Sequence, residues 1–110
     1  MVILKRFDVC LVNLDPTIGS ELQKTRPAVV ISPDSMNLSR LKTLIIAPLT
    51  STIRDNFPTR IMTKFQKKDG QVALDQLRAI DRLRIVEKLG RIDNATGDRI
   101  LDLLSILFQK

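Results

Sequence analysis

Short apolar runs, each closed by proline, glycine or a polar cluster, recur from Phe7 to Leu89, and only the last stretch of chain keeps a helical period. Many short strands spaced by turn chemistry, followed by one terminal helix, predict a small antiparallel barrel. The strand runs are Phe7 to Leu14, Ala28 to Ile31, Thr43 to Leu49, Arg60 to Phe65, Gln71 to Asp75 extended by Leu77 to Ile80, and Ile85 to Leu89. Phe7 to Leu14 is apolar without clean alternation, as suits a strand covered on both faces for part of its length. Arg60 to Phe65 sets Ile61, Thr63 and Phe65 against Arg60, Met62 and Lys64, the period of a half-buried strand. Asp69-Gly70 supplies hairpin-turn chemistry. Pro48 marks an edge or the end of its strand, and Gly90 breaks the pattern after the last one. Ser32 to Ser35 offers a cap or turn before a helical turn over Met36 to Leu41, and Asp81 to Arg84 makes another.

Asp93 or Asn94 caps the terminal helix, which runs to about Phe108. Ile100, Leu103, Leu104 and Leu107 hold its i, i+3, i+4, i+7 stripe. Leu101 and Phe108 widen that stripe, which fits either the broad core of a barrel or a partner surface. The expected fold is mostly β, an SH3-like small antiparallel barrel with a C-terminal α-helix, in a single domain over residues 1–110.

The formal net charge is +6 and the isoelectric point is near 10.0, which favours a polyanionic partner, with nucleic acid foremost. With four Phe and neither Trp nor Tyr, a broad base-stacking platform is not expected. No basic amphipathic helix and no apolar run of about 18 residues occurs, and Lys5, Arg6 and Asp8 come too early for a signal peptide. A cytoplasmic protein without a membrane partner is expected. The single cysteine, Cys10, lies in the first strand and is read as a buried thiol.

Between the first two strands runs a loop, Asp15 to Thr25, longer than a hairpin needs, and long ordered loops tend to carry function. It holds Glu21 and Lys24, and Arg26 follows at the root of the next strand, where Pro27 keeps its backbone extended. For an isolated arginine the simple reading is a surface pair with Glu21.

The chain contains no histidine. A His-pair ribonuclease, a Ser-His-Asp or Cys-His nucleophile and a His-ligated zinc site are thereby excluded. No carboxylate pair or cysteine cluster has metal-ligand spacing, so neither a metal nor another cofactor is expected. RNA remains a workable substrate, because it carries its own nucleophile in the 2′-OH. The protein then has to supply a base, a charge clamp on the phosphorane and help for the leaving oxygen.

Five stretches, D-V-C-L-V-N-L-D-P-T-I-G-S-E, K-T-R-P-A-V-V-I-S-P with A-P-L-T-S-T, F-P-T-R, G-Q-V-A-L-D-Q-L-R-A-I-D and K-L-G-R-I, lie in that order from Asp8 to Ile92. In them the chain resembles the MazF/PemK (Kid) family of toxins from type II toxin–antitoxin modules. The resemblance implies a homodimer, an acidic antitoxin partner and metal-independent, sequence-specific endoribonuclease activity on single-stranded RNA. It also implies Glu21, Arg26 and Thr50 as the catalytic set. In that set Arg26 is the phosphate clamp, because guanidinium is a poor acid. Thr50 donates a hydroxyl hydrogen bond to the same phosphate, and Glu21 is either the base or the residue that orients Arg26.

Ser20, Lys24, Ser51, Asp75, Gln76 and Arg78 are the accompanying candidates for RNA binding. Asp75 and Gln76 present groups suited to unpaired base edges. For Asp75 a strand-end carboxylate paired with Arg78 is the competing reading, and its use as the base is a further alternative to Glu21. The chain departs from the family pattern at Phe7, where glycine is usual, and at Ser20 and Ala73, where the PemK branch carries His and Arg. Two other functions stay open at this level: a non-catalytic toxin that binds a protein such as DNA gyrase, and a degenerate member that binds nucleic acid without cutting it.

Overall fold

The computed structural model describes residues 3–110. Seven strands form one curled antiparallel sheet: β1 (Asp8–Asn13), β2 (Thr25–Val30), β3 (Thr43–Thr50), β4 (Arg60–Phe65), β5 (Lys68–Ala73), β6 (Arg78–Asp81) and β7 (Ile85–Arg91). The order is β4-β5-β3-β2-β1-β7, with β6 also paired to β3. A short helix, α1 (Asp34–Asn37), follows β2, and α2 (Asn94–Leu107) closes the chain. This is the expected SH3-like barrel with its C-terminal helix.

Both faces of the sheet are covered, so its central strands are apolar on both sides. Phe7, Val9, Val29, Ile31, Ala47, Leu49, Val72, Leu74, Ile92 and Ile100 make one core, against which Leu101, Leu103 and Leu104 of α2 pack. Cys10, Val12, Leu14, Ala28, Val30, Leu44, Ile46 and Ile80 make the other, beneath Leu4. Alternation along β1, β2 and β3 sends successive side chains to opposite cores. The Asp93 side chain caps α2 by accepting from Thr96 N at 3.3 Å.

Several local expectations are corrected. The β4–β5 hairpin turns at Gln66 and Lys67, whose φ of 51° and 66° gives the left-handed pattern of a type I′ turn. Asp69 and Gly70 lie inside β5, and Gly70 serves packing: a Cβ there would stand 2.8 Å from the carbonyl oxygen of Thr50. Gly90 does not end β7, which continues to Arg91. Its missing side chain admits the Phe65 ring, 3.3 Å from where a Cβ would be. Pro48 is interior to β3, opposite Ala28. It falls where the β6 partner has ended at Ile46 and the β5 partner has yet to begin at Leu49, so the missing donor breaks neither ladder. Helix α1 occupies Asp34–Asn37, starting before the expected Met36 and stopping well short of Leu41. β5 ends at Ala73, and Leu74–Gln76 form a 3-10 turn instead of continuing the strand.

Candidate functional site

Arg26 is the second residue of β2, on the face that carries Ala28 and Val30. Thr50 is the last residue of β3, on the face of Leu44 and Ile46. Ala28 lies opposite Pro48, and two steps outward along each antiparallel strand bring Arg26 to Thr50 at the rim of the sheet. They share a cleft of about 370 Å³ with Ser51 and with Thr63, Phe65 and Lys68 of the β4–β5 hairpin.

The guanidinium of Arg26 is half-buried, and its Nε donates to the Gln23 carbonyl at 2.9 Å. That single anchor leaves both terminal nitrogens without a protein partner among the described residues. The Thr50 side chain is buried, and its Oγ1 accepts from Thr52 N at 3.2 Å, so its own proton remains free to donate. A planar cation and a neutral hydroxyl donor thus converge on one space, an arrangement suited to an anionic, tetrahedral or trigonal-bipyramidal group.

A second cleft of about 290 Å³ adjoins the first along β3: Pro48 lines it, and Leu49 and Thr50 line its neighbour. Ser20, Glu21, Leu22, Asp75, Gln76, Leu77 and Arg78 complete it. Glu21 is therefore in the cleft next to Arg26 and not paired with it. Its Oε1 accepts from Ile18 N at 2.6 Å within the same loop, and the Gln23 carbonyl is what orients Arg26. Arg78 Nη1 donates to the Leu14 carbonyl at 3.3 Å, which holds its guanidinium at the cleft wall. Lys24 lines neither cleft. Its φ is +69°, and its backbone N–H donates to Asp15 Oδ1 at 2.9 Å to close the base of the loop.

Asp75 does not pair with Arg78. Its carboxylate takes a two-point contact from Arg60, Nε at 2.8 Å and Nη2 at 3.2 Å, and accepts from Thr59 Oγ1 at 3.0 Å. Burial pushes the Asp75 carboxyl up, but the hydrogen bonds from Arg60 and Thr59 outweigh it and hold the group below the ordinary carboxylate range. Gln76 is also engaged: its Oε1 accepts from Leu22 N at 2.6 Å, and its Nε2 donates to the Ser20 carbonyl at 3.0 Å. Both side-chain groups that sequence reading offered to RNA bases are committed to the protein.

Thr59 and Arg60 were visible only as part of F-P-T-R, with nothing local to show that they embrace Asp75. Thr63, Phe65 and Lys68 were missed as cleft residues, since only the hairpin's return past Thr50 brings them there. Among the described residues no three His, Cys, Asp or Glu side chains gather into a metal-binding group. No helix among them is long and apolar enough to cross a membrane.

The class defined by this architecture is a small SH3-like barrel with two adjoining clefts at one rim, between the β1–β2 loop and the β4–β5 hairpin. A family model described as PemK-like, MazF-like toxin of type II toxin-antitoxin system matches residues 5–108, and the chain belongs to that family. It is 32% identical over 110 residues to the endoribonuclease EndoA of Bacillus subtilis (strain 168), covering 96% of this chain and 94% of that one. Its fold is similar to the crystal structure of MazF (Form-I) from Deinococcus radiodurans, with a TM-score of 0.83, 24% identity and 97% of each chain covered. It is also similar in fold to a mycobacterial endoribonuclease in complex with its cognate antitoxin, with a TM-score of 0.76, 20% identity, and 94% of this chain and 92% of that one covered.

Proposed function

We propose that this toxin is a metal-independent endoribonuclease that cuts single-stranded RNA at a short sequence motif by attack of the substrate's own 2′-OH. The observation that carries the reading is the convergence of the free guanidinium nitrogens of Arg26 and the free hydroxyl proton of Thr50 on one cleft. The EndoA relative, named an endoribonuclease, supports the same reaction class.

The scissile phosphate occupies the Arg26–Thr50 cleft, and the ribose on its 5′ side lies toward the adjoining one. The 2′ oxygen forms a bond to phosphorus while the bond to the 5′ oxygen breaks. The 2′-OH proton passes to the Glu21 carboxylate at the border of the second cleft, and the leaving 5′ oxygen takes up a proton from solvent. Arg26 stabilises the charge that accumulates on the phosphorane, which is greatest in the transition state. Ser51 lines the approach of the strand, and Ser20 and Arg78 border the nucleotide on the 5′ side, while Asp75 and Gln76 stay engaged with the surrounding loops.

Two copies associate through the apolar end of α2, where Ile106, Leu107 and Phe108 are exposed. The partner that silences the toxin is an acidic antitoxin with a disordered tail that covers the basic clefts, in keeping with the antitoxin-bound structural relative. Incubation of the purified protein with a long single-stranded RNA, with the cut ends mapped, tests the proposal. Cuts recurring at one short motif are expected. RNA left whole by correctly folded protein would overturn it.

A further inference from the structure

The 3-10 turn Leu74–Gln76 sits between the β1–β2 loop and the β3–β4 loop and holds both of them. Asp75 takes Thr59 and Arg60, where the β3–β4 loop enters β4. Gln76 spans the β1–β2 loop from the other side, accepting from Leu22 N at 2.6 Å and donating to the Ser20 carbonyl at 3.0 Å. These two main-chain groups flank Glu21 directly. Glu21 itself is exposed, and its carboxylate accepts from Ile18 N, inside the same loop.

We infer that Gln76 is a positioning residue for Glu21, a two-point latch that holds the residues on either side of the proposed base and so sets where its carboxylate meets the 2′-OH. This rests on the ribonuclease reading above. Chemistry explains why glutamine suits the latch: it requires an acceptor and a donor side by side on one planar group, which a side-chain amide offers and an ionised carboxylate does not. Asparagine is one methylene too short to reach from the turn. Glutamate retains the acceptor for Leu22 N but sets an oxygen against the Ser20 carbonyl. Arg26 and Thr50 stand on β2 and β3, and no hydrogen bond of Gln76 reaches either, so the strands keep the phosphate clamp in place when the latch is removed.

The test compares wild type with Gln76→Ala and Gln76→Glu in two assays. The first is limited trypsin digestion without RNA, reading cleavage after Lys24; the Arg26–Pro27 bond is resistant because of the proline. The second measures kcat for an RNA oligonucleotide, and the Kd of the same oligonucleotide made uncleavable by a 2′-deoxy sugar at the cut. Gln76→Ala should speed cleavage after Lys24 and lower kcat, each by roughly tenfold, the scale of one or two net hydrogen bonds. The Kd should stay within about twofold, and Gln76→Glu should fall between wild type and Gln76→Ala. Should Gln76→Ala misfold, the isosteric Gln76→Glu carries the test by itself.

Unchanged cleavage after Lys24 in a folded variant would overturn the latch. A loosened loop with unchanged kcat would overturn its link to Glu21, and so would a loss confined to Kd. Wild-type protein that leaves RNA intact would instead refute the ribonuclease reading, while the trypsin assay would still report on the latch.

Discussion

The ring of Phe7 occupies the space that a Cβ on Gly97 would need: an added Cβ would lie 2.5 Å from Phe7 Cε2 and 2.8 Å from Cδ2. Phe7 itself holds a φ of +75°, a conformation that disfavours any side chain. Glycine would hold that conformation freely, whereas the strain of phenylalanine costs about 1–3 kcal/mol. Burying the ring against the bare backbone of α2 offsets that cost. Gly97→Ala should destabilise the fold by about 1–3 kcal/mol through overpacking. Phe7→Gly should relieve the backbone yet still destabilise, because loss of a buried ring costs about 3–5 kcal/mol. In a double-mutant cycle by denaturant unfolding, Gly97→Ala should cost clearly less in the Phe7→Gly background. Strict additivity would show that the two positions are not coupled.

The Arg26 side chain contributes one hydrogen bond to the fold among the described residues, from Nε to the Gln23 carbonyl. Arg26→Ala should therefore leave the melting temperature nearly unchanged while lowering kcat by on the order of a hundredfold or more. Thr50→Ala removes one neutral donor and should cost less. If Arg26→Ala unfolds the protein instead, the residue is structural.

The Asp75 carboxyl is held below its ordinary value of 3.8 in the folded chain. A depressed carboxyl contributes stability that is fully present above that ordinary value and is lost as pH falls through the folded one. Acid should thus release Arg60 and Thr59 only when pH falls through the folded value, lower than that of an ordinary carboxyl. Asp75→Asn should lower the melting temperature at pH 7 and flatten its decline as pH falls below the ordinary carboxyl range. An equally steep decline in the variant would assign the acid sensitivity to other groups.

Burial, followed by the neighbouring Asp8 carboxylate, pushes the Cys10 thiol up to about 11, and Lys88 only partly counters them. At pH 8 roughly one thiol in a thousand is ionised. Cys10 should resist a thiol-directed reagent in native buffer and react once the protein is unfolded in denaturant. Rapid labelling of the native state would contradict its burial.

The strands and the terminal helix were legible because their signals are local: apolar runs, punctuation, and the stripe through Ile100, Leu103, Leu104 and Leu107. What escaped was set across space. Gly70 looked like turn chemistry but is glycine because the Thr50 carbonyl presses on it, and Gly90 yields room to the Phe65 ring. Asp75 reaches Arg60 only because the β4–β5 hairpin folds back, pairing Arg60 with Ala73. For the candidate site, Arg26 and Thr50 line one cleft, while Glu21 and Gln76 separate into the neighbouring one because the β1–β2 loop is pinned through Ser20 and Leu22. Spacing along the chain carries no record of such pinning.

The central claim is that the substrate supplies its own nucleophile, and one measurement addresses it directly. An RNA containing the cut motif is incubated with the protein in excess chelator, beside an otherwise identical strand with a single 2′-deoxy sugar immediately 5′ of the cut. The all-ribose strand should yield a 2′,3′-cyclic phosphate and a 5′-hydroxyl, because the tethered 2′-OH has a proximity advantage that water lacks. The deoxy strand should bind with the same salt dependence and remain whole. Cleavage of the deoxy strand at a rate near that of the all-ribose strand would make water the nucleophile and contradict the roles proposed for Glu21, Arg26 and Thr50.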